Sequence, residues 1–241
     1  MEQREQRPSS AREAYRVLAS AQKSGAGVPW YMRVVNRRLG RMIAAAASQT
    51  GATPNAMTAV SFAAFGVGAA LLVLVEPGVV MAIAATLALQ AGFAFDSADG
   101  QLARLTGSGS AAGEWLDHVV DSARHLMFHL AVMVGLYRFG DQPDWVLIIA
   151  MVFAVVSTVR FFAQILAEQL ARRDPVAGPE AVPRFGVWIQ APADTGVLNM
   201  TVLLWAWTPA FVVAYAAMAL ANTVLLAATL VRRYRELASL E

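Results

Sequence analysis

From Pro54 onward, apolar residues run in long blocks separated by short polar breaks. A helix needs roughly 20 apolar residues to cross a hydrocarbon core. Blocks of that kind fall at 54–75, 79–104, 113–137, 144–169, 192–207 and 209–231. The breaks include Glu76-Pro77-Gly78, Phe139-Gly140-Asp141-Gln142-Pro143 and Trp207-Thr208-Pro209. Thr53 and Pro54 read as the N-cap and first-turn proline of the first block. The pattern predicts an all-α, polytopic membrane protein with six transmembrane helices. The fifth block has the shortest clean apolar part and is expected to begin inside the Pro/Gly-rich stretch 174–196.

Ahead of these blocks the pattern changes. Val28, Met32, Val35, Leu39 and Met42 recur three and four apart, and Arg33, Arg37, Arg38 and Arg41 fall largely between them. This predicts an amphipathic helix with a basic face, suited to the headgroup region of an anionic membrane. The chain therefore divides into a polar tail (1–27), an amphipathic juxtamembrane helix (28–48), a six-helix transmembrane domain (49–233) and a second tail (234–241). The first tail lacks the apolar core of a signal peptide. It is expected to be weakly ordered, with a short helix around Ala11–Ala21.

Composition agrees with the blocks: 57% of residues are hydrophobic and 15% are charged, against about 25% charged in an average soluble domain. The absence of cysteine rules out disulfides and thiolate metal sites. A net charge of +2 gives no argument for a nucleic-acid partner. The distribution of charge says more. The N-terminal arginines, Arg172, Arg173 and Arg184 before the fifth block, and Arg232, Arg233 and Arg235 at the end all fall on one side of a six-span chain. The other side receives Arg138. Positive charge favours the cytoplasmic side, so both termini are expected there, in a multi-pass protein of the cell membrane. The spans are rich in alanine and glycine, which permits a homodimer.

Four aspartates stand out because charge against apolar spans is costly and defaults to function. Asp96 and Asp99 are three apart on the second span and so share a helix face. Asp117 and Asp121 are four apart on the third. Gly107 and Gly109 sit in the reversal between the two helices, so the hairpin is expected to bring the two pairs together. Carboxylates this close repel unless cations lie among them, and all-oxygen sites favour hard cations such as Mg²⁺ or Mn²⁺. Two such ions could clamp a diphosphate. Gly100 and Gly113 leave room for a nucleotide against the backbone, and Arg104 could pair with phosphate. Asp96 lies about 25 Å along its helix, at about 1.5 Å per residue, which puts the cluster at the cytoplasmic edge.

At these positions the chain resembles the CDP-alcohol phosphotransferase family. The family signature D-x2-D-G-x2-A-R-x8-G-x3-D-x3-D is met without substitution at Asp96, Asp99, Gly100, Ala103, Arg104, Gly113, Asp117 and Asp121. Thr53-Pro54-Asn55, followed by Thr58, is also similar to many members. The resemblance implies that Asp96, Asp99, Asp117 and Asp121 bind two metal ions and that Asp121 is also the general base. It further implies that Gly100, Ala103, Arg104, Gly113 and Asn55 line the CDP site. The implied reaction is attack of an alcohol acceptor on the β-phosphorus of a CDP-linked donor, most simply CDP-diacylglycerol in phospholipid synthesis, with CMP leaving. A soluble or inositol-based phosphodiester product is an alternative. From another class, a cation transporter would also use clustered carboxylates, but it would leave the glycines and Arg104 without a role, and no inverted repeat is visible.

Outside the signature, His125 continues the four-residue steps from Asp121. It is either a partner of Asp121 or of the acceptor, or a buried hydrogen-bonded residue. His129 is expected to be the latter, and His118 to point elsewhere. Arg160, inside the fourth span, either anchors a phosphate or makes an ion pair with a helix carboxylate such as Asp99 or Glu168. Arg124 is expected to make a structural ion pair. Arg172, Arg173 and Arg184 are near enough in sequence to the site to touch an anionic acceptor, or are ordinary cytoplasmic charge. Trp145, Trp188, Trp205 and Trp207 fall at span ends, where tryptophan anchors at the interface.

Overall fold

The computed structural model describes residues 8–21, 28–140, 142–171 and 191–238. Arg172, Arg173, Arg184, Trp188 and most of the Pro/Gly-rich stretch 174–196 lie outside the described residues. Among the described residues the chain is helical throughout, without strands.

Helix α1 (Ala11–Ser20) starts on Ser10, whose hydroxyl accepts from Glu13 N, while Glu13 reaches back to Ser9 N at 2.7 Å. This reciprocal cap satisfies first-turn amides. The short helix expected around Ala11–Ala21 is therefore seen, and it is docked on the rest of the fold. Ala14 and Leu18, four apart, bury one face, and Leu18 joins a small cluster with Ala44, Ala47, Met57, Ala98 and Leu102.

The juxtamembrane helix begins with a π-helical turn (Met32–Asn36) and continues as α2 (Arg37–Thr50). It covers two faces, not one. Asn36, Gly40, Ala44 and Ala47 are buried, while Leu39 and Met42 point outward. Small residues let α2 lie close on the next long helix. A Cβ on Gly40 would come within 2.6 Å of Ser97 Oγ. The outward apolar residues are the ones the amphipathic pattern assigned to lipid.

Among the described residues five helices are long and apolar enough to span a membrane. These are α3 (Pro54–Leu74), α4 (Val79–Thr106), α5 (Ala111–Phe139), α6 (Asp144–Ala171) and α8 (Thr208–Ala238). Thr53 caps α3 as expected, accepting from Ala56 N at 3.2 Å. The fifth predicted span is seen as a shorter apolar helix, α7 (Thr195–Thr201), tightening into a 3₁₀ stretch at Val202–Ala206.

Helix α4 ends at Gly107 (φ 62°), a left-handed position that glycine adopts without a Cβ clash. Helix α5 restarts on Ser110, whose hydroxyl accepts from Gly113 N at 3.1 Å. The two helices do not pack along each other. Both lie on α3, while α5 also packs on α6 and α6 on α8. A cleft is therefore left between α4 and α5 near their hairpin.

The main core gathers Leu72, Leu89, Val132, Leu136, Trp205 and Phe211 among others. Trp205 is 1% exposed and stands edge-on to Phe211 at 4.7 Å. It is a core residue, not the interfacial anchor its position suggested, because the 3₁₀ stretch turns its ring inward towards α5. Trp145 and Trp207 remain exposed.

Asp194 ties the two ends of the fold together. One carboxylate oxygen caps α7 by accepting from Gly196 N at 3.0 Å. The other accepts from Tyr31 N at 2.8 Å and Met32 N at 3.2 Å.

Candidate active site

The cleft between α4 and α5 is where the aspartates meet. Asp96, Asp99 and Asp117 each present a carboxylate oxygen, all within 4.8 Å of one another. Asp121 belongs to a neighbouring group with Asp117 and His118 at the same spacing. His118 thus faces the carboxylates, contrary to expectation, and also lies 3.8 Å from Glu114 on its own helix. The hairpin turn sets this register: it brings the last three turns of α4 level with the first three of α5.

Asp99 is buried, and α3 supplies its support. Thr58 donates to its Oδ2 at 2.7 Å, and Gly100 N donates to its Oδ1 at 2.5 Å. Asp96 and Asp121 are joined through Arg124, whose Nη2 pairs with Oδ1 of each. Nη1 of the same guanidinium donates to Ser61 Oγ at 2.6 Å, and Ser61 passes its own proton to Gly92 O at 2.8 Å. The expected ion pair of Arg124 therefore exists, but its partners are two of the signature aspartates. Thr58 and Ser61, three apart on one face of α3, were the only polar interruption of that face and so a faint signal of this support.

The signature glycines differ in surroundings. A Cβ on Gly100 would meet only Arg104 Nη1, at 3.5 Å. That face is open. A Cβ on Gly113 would lie 3.4 Å from Asn55 Oδ1, so Asn55 and the first turn of α5 are neighbours. Ala103 is half-buried and Arg104 exposed on the same end of α4.

A cavity of about 290 Å³ opens beside Asp96 and Asp121, lined also by Arg124, His125, Arg160 and Gln164. Pro29 and Met32 of the juxtamembrane segment close part of its wall. Arg160 makes no ion pair with Asp99 or Glu168. It donates from Nη2 to Ala193 O at 3.1 Å, and its buried Nε has no partner among the described residues. His125 is not bonded to Asp121. Its Nδ1 meets Ser157 Oγ at 2.9 Å and its ring lies over Phe161. His129 is the buried, hydrogen-bonded residue expected, 2.7 Å from the Tyr215 hydroxyl.

The donor set tests what this site can hold. Three converging carboxylates on two helices form an all-oxygen set of hard donors, with no sulfur nearby. That fits Mg²⁺, Mn²⁺ or a similar divalent ion. The stretch carrying these residues lies inside a longer match: the family model for CDP-alcohol phosphatidyltransferases covers residues 51–231, well over half of the chain. The chain belongs to the CDP-alcohol phosphatidyltransferase family. No curated protein matches it closely enough to add an individual relative. As a CDP-alcohol phosphatidyltransferase it is a transferase of substituted phosphate groups, which sets aside the cation-transporter reading. The matched stretch begins just before the Thr53 cap and ends in α8. It contains the whole aspartate cleft and leaves α1, the π-helical turn and all of α2 outside.

Proposed function

We propose that this CDP-alcohol phosphatidyltransferase transfers a phosphatidyl group from CDP-diacylglycerol to an acceptor hydroxyl, releasing CMP, in phospholipid biosynthesis. The observation that carries the reading is the convergence of Asp96, Asp99 and Asp117 beside a cavity that Asp121 also lines. Asp96, Asp99 and Asp117, with Asp121 completing the set, would hold two Mg²⁺ or Mn²⁺ ions. What such cations supply is neutralisation of the donor diphosphate and of the charge that develops on the departing CMP.

The chain's own residues divide the remaining work. Gly100 leaves the backbone of α4 open for cytidine, and Ala103, Arg104, Gly113 and Asn55 border the same place. Asp121 takes the proton of the acceptor hydroxyl as its oxygen bonds to the β-phosphorus and the bond to CMP breaks. Arg160 and His125 line the cavity on the far side of Asp121 and contact the acceptor. A guanidinium with a free buried Nε suits an anionic acceptor group. Both termini and the site face the cytoplasm of a cell membrane, a placement supported by the one-sided distribution of arginine.

The test is CMP release by the purified protein in detergent, with CDP-diacylglycerol, Mg²⁺ or Mn²⁺ and a panel of alcohols. Release should need a divalent ion and one class of acceptor, and should vanish in Asp96→Asn, Asp117→Asn and Asp121→Asn. Full activity in any of the three would overturn the assignment. Release from a soluble CDP-alcohol with diacylglycerol as acceptor, and not from CDP-diacylglycerol, would reverse the donor.

A further inference from the structure

Among the described residues Arg124 is the cation ion-paired with the signature aspartates, although it is not part of the signature. It lies one turn beyond Asp121 on α5 and is 8% exposed. Three helices hold it. Asp96 on α4 and Asp121 on α5 take its Nη2, and Ser61 on α3 takes its Nη1. Ser61 is itself anchored on the Gly92 carbonyl. The guanidinium cannot swing away without giving up all of these bonds.

Its charge changes the balance of the site. Four ionised carboxylates would be neutralised by two divalent ions with no other ligand present. With Arg124 in place, three negative charges remain. One divalent ion leaves a single negative charge, and a second overshoots to a net positive one. That excess is suited to an incoming anion. The second ion must also share Asp96 and Asp121 with a guanidinium that is already bonded to both.

We propose that Arg124 is a resident cation that weakens one of the two divalent-ion positions, the one on the Asp96–Asp121 side, until the anionic diphosphate of the nucleotide arrives. The inference rests on reading the cleft as a divalent-metal site. It gives an order of binding. One ion settles on Asp96, Asp99 and Asp117 beforehand, and the other enters with the nucleotide. Arg124 acts through the aspartates and is a positioning residue.

The experiment is Mn²⁺ binding to the purified full chain, counted by electron paramagnetic resonance of free Mn²⁺, with and without CDP and with no acceptor. The wild type should bind one ion tightly alone and two with CDP. Arg124→Gln should bind both without CDP, the second at least about tenfold more tightly than in the wild type, as expected for removing an adjacent like charge. Arg124→Lys should keep the wild-type pattern. A purely structural role would weaken both ions in Arg124→Gln. That outcome, or an unchanged second ion, or two tight ions in the wild type without CDP, would overturn the inference while leaving the metal site intact. No Mn²⁺ bound under any condition would overturn the metal site and the inference together.

Discussion

Thr58 is a small residue with a large assignment. Its hydroxyl is the side-chain donor to Asp99, a carboxylate only 5% exposed to solvent. Groups that orient metal ligands typically matter about 10–100-fold in metal affinity. Thr58→Val keeps the shape and removes the donor, so Mn²⁺ affinity should fall in that range and CMP release with it, while Thr58→Ser should retain both. Titration of the two variants checks this, and wild-type affinity in Thr58→Val would deny the support role. Arg124 works at the same scale but in the opposite direction. Unit charges about 4 Å apart interact by about 4 kcal/mol at an effective dielectric of 20, which exceeds what one orienting hydrogen bond contributes. The four aspartates were legible because charge in an apolar run is conspicuous and their spacing of three and four names a helix face. The contacts that Thr58, Ser61 and Arg124 make were not, because they cross between helices, and a polar residue in a span does not announce which neighbour it meets.

Helices were legible where their ends carried signals. Thr53-Pro54, Gly78 before α4, and Gly107 before Ser110 bound elements whose observed limits fall close to the predicted ones. The juxtamembrane helix was half legible. Its apolar stripe was found, but its second face is built from glycine and alanine, which hydropathy does not distinguish from filler. Gly40 tests that face. A Cβ there must displace Ser97, and overpacking of this kind costs about 1–3 kcal/mol. Gly40→Val should therefore lower the thermal midpoint in detergent, and Ser97→Gly should recover part of the loss in the double variant. Additive losses would mean that the two residues do not meet. The short α7 was the element hydropathy read least well. Leu198 of α7 and Val202 and Trp205 of the 3₁₀ stretch that follows serve the interior of the bundle, so the apolar content of this segment reflects burial in protein as well as in lipid.

The whole molecule raises a question of parity. Arginine lies at both ends of the chain, and the positive side is expected to be the cytoplasm. A phosphatase or fluorescent reporter fused after Glu241 should report a cytoplasmic C-terminus, and one fused before Met1 should report the same side. Opposite sides would mean that the segment around α7 does not complete a crossing and that the chain turns through the membrane an odd number of times. The cleft itself is a whole-molecule property. α3 underlies both α4 and α5, so the gap between them is kept open by a helix that supplies none of the aspartates.

The Asp194 clasp has a consequence for the order in which the protein is made. Asp194 leaves the ribosome 163 residues after Tyr31. Until then α2 can already lie on α4, but the amides of Tyr31 and Met32, next to the cavity wall, lack their carboxylate partner. The cavity wall is thereby tied to completion: a chain stopped anywhere before α7 carries all four aspartates but lacks the carboxylate that holds Tyr31 and Met32 in place.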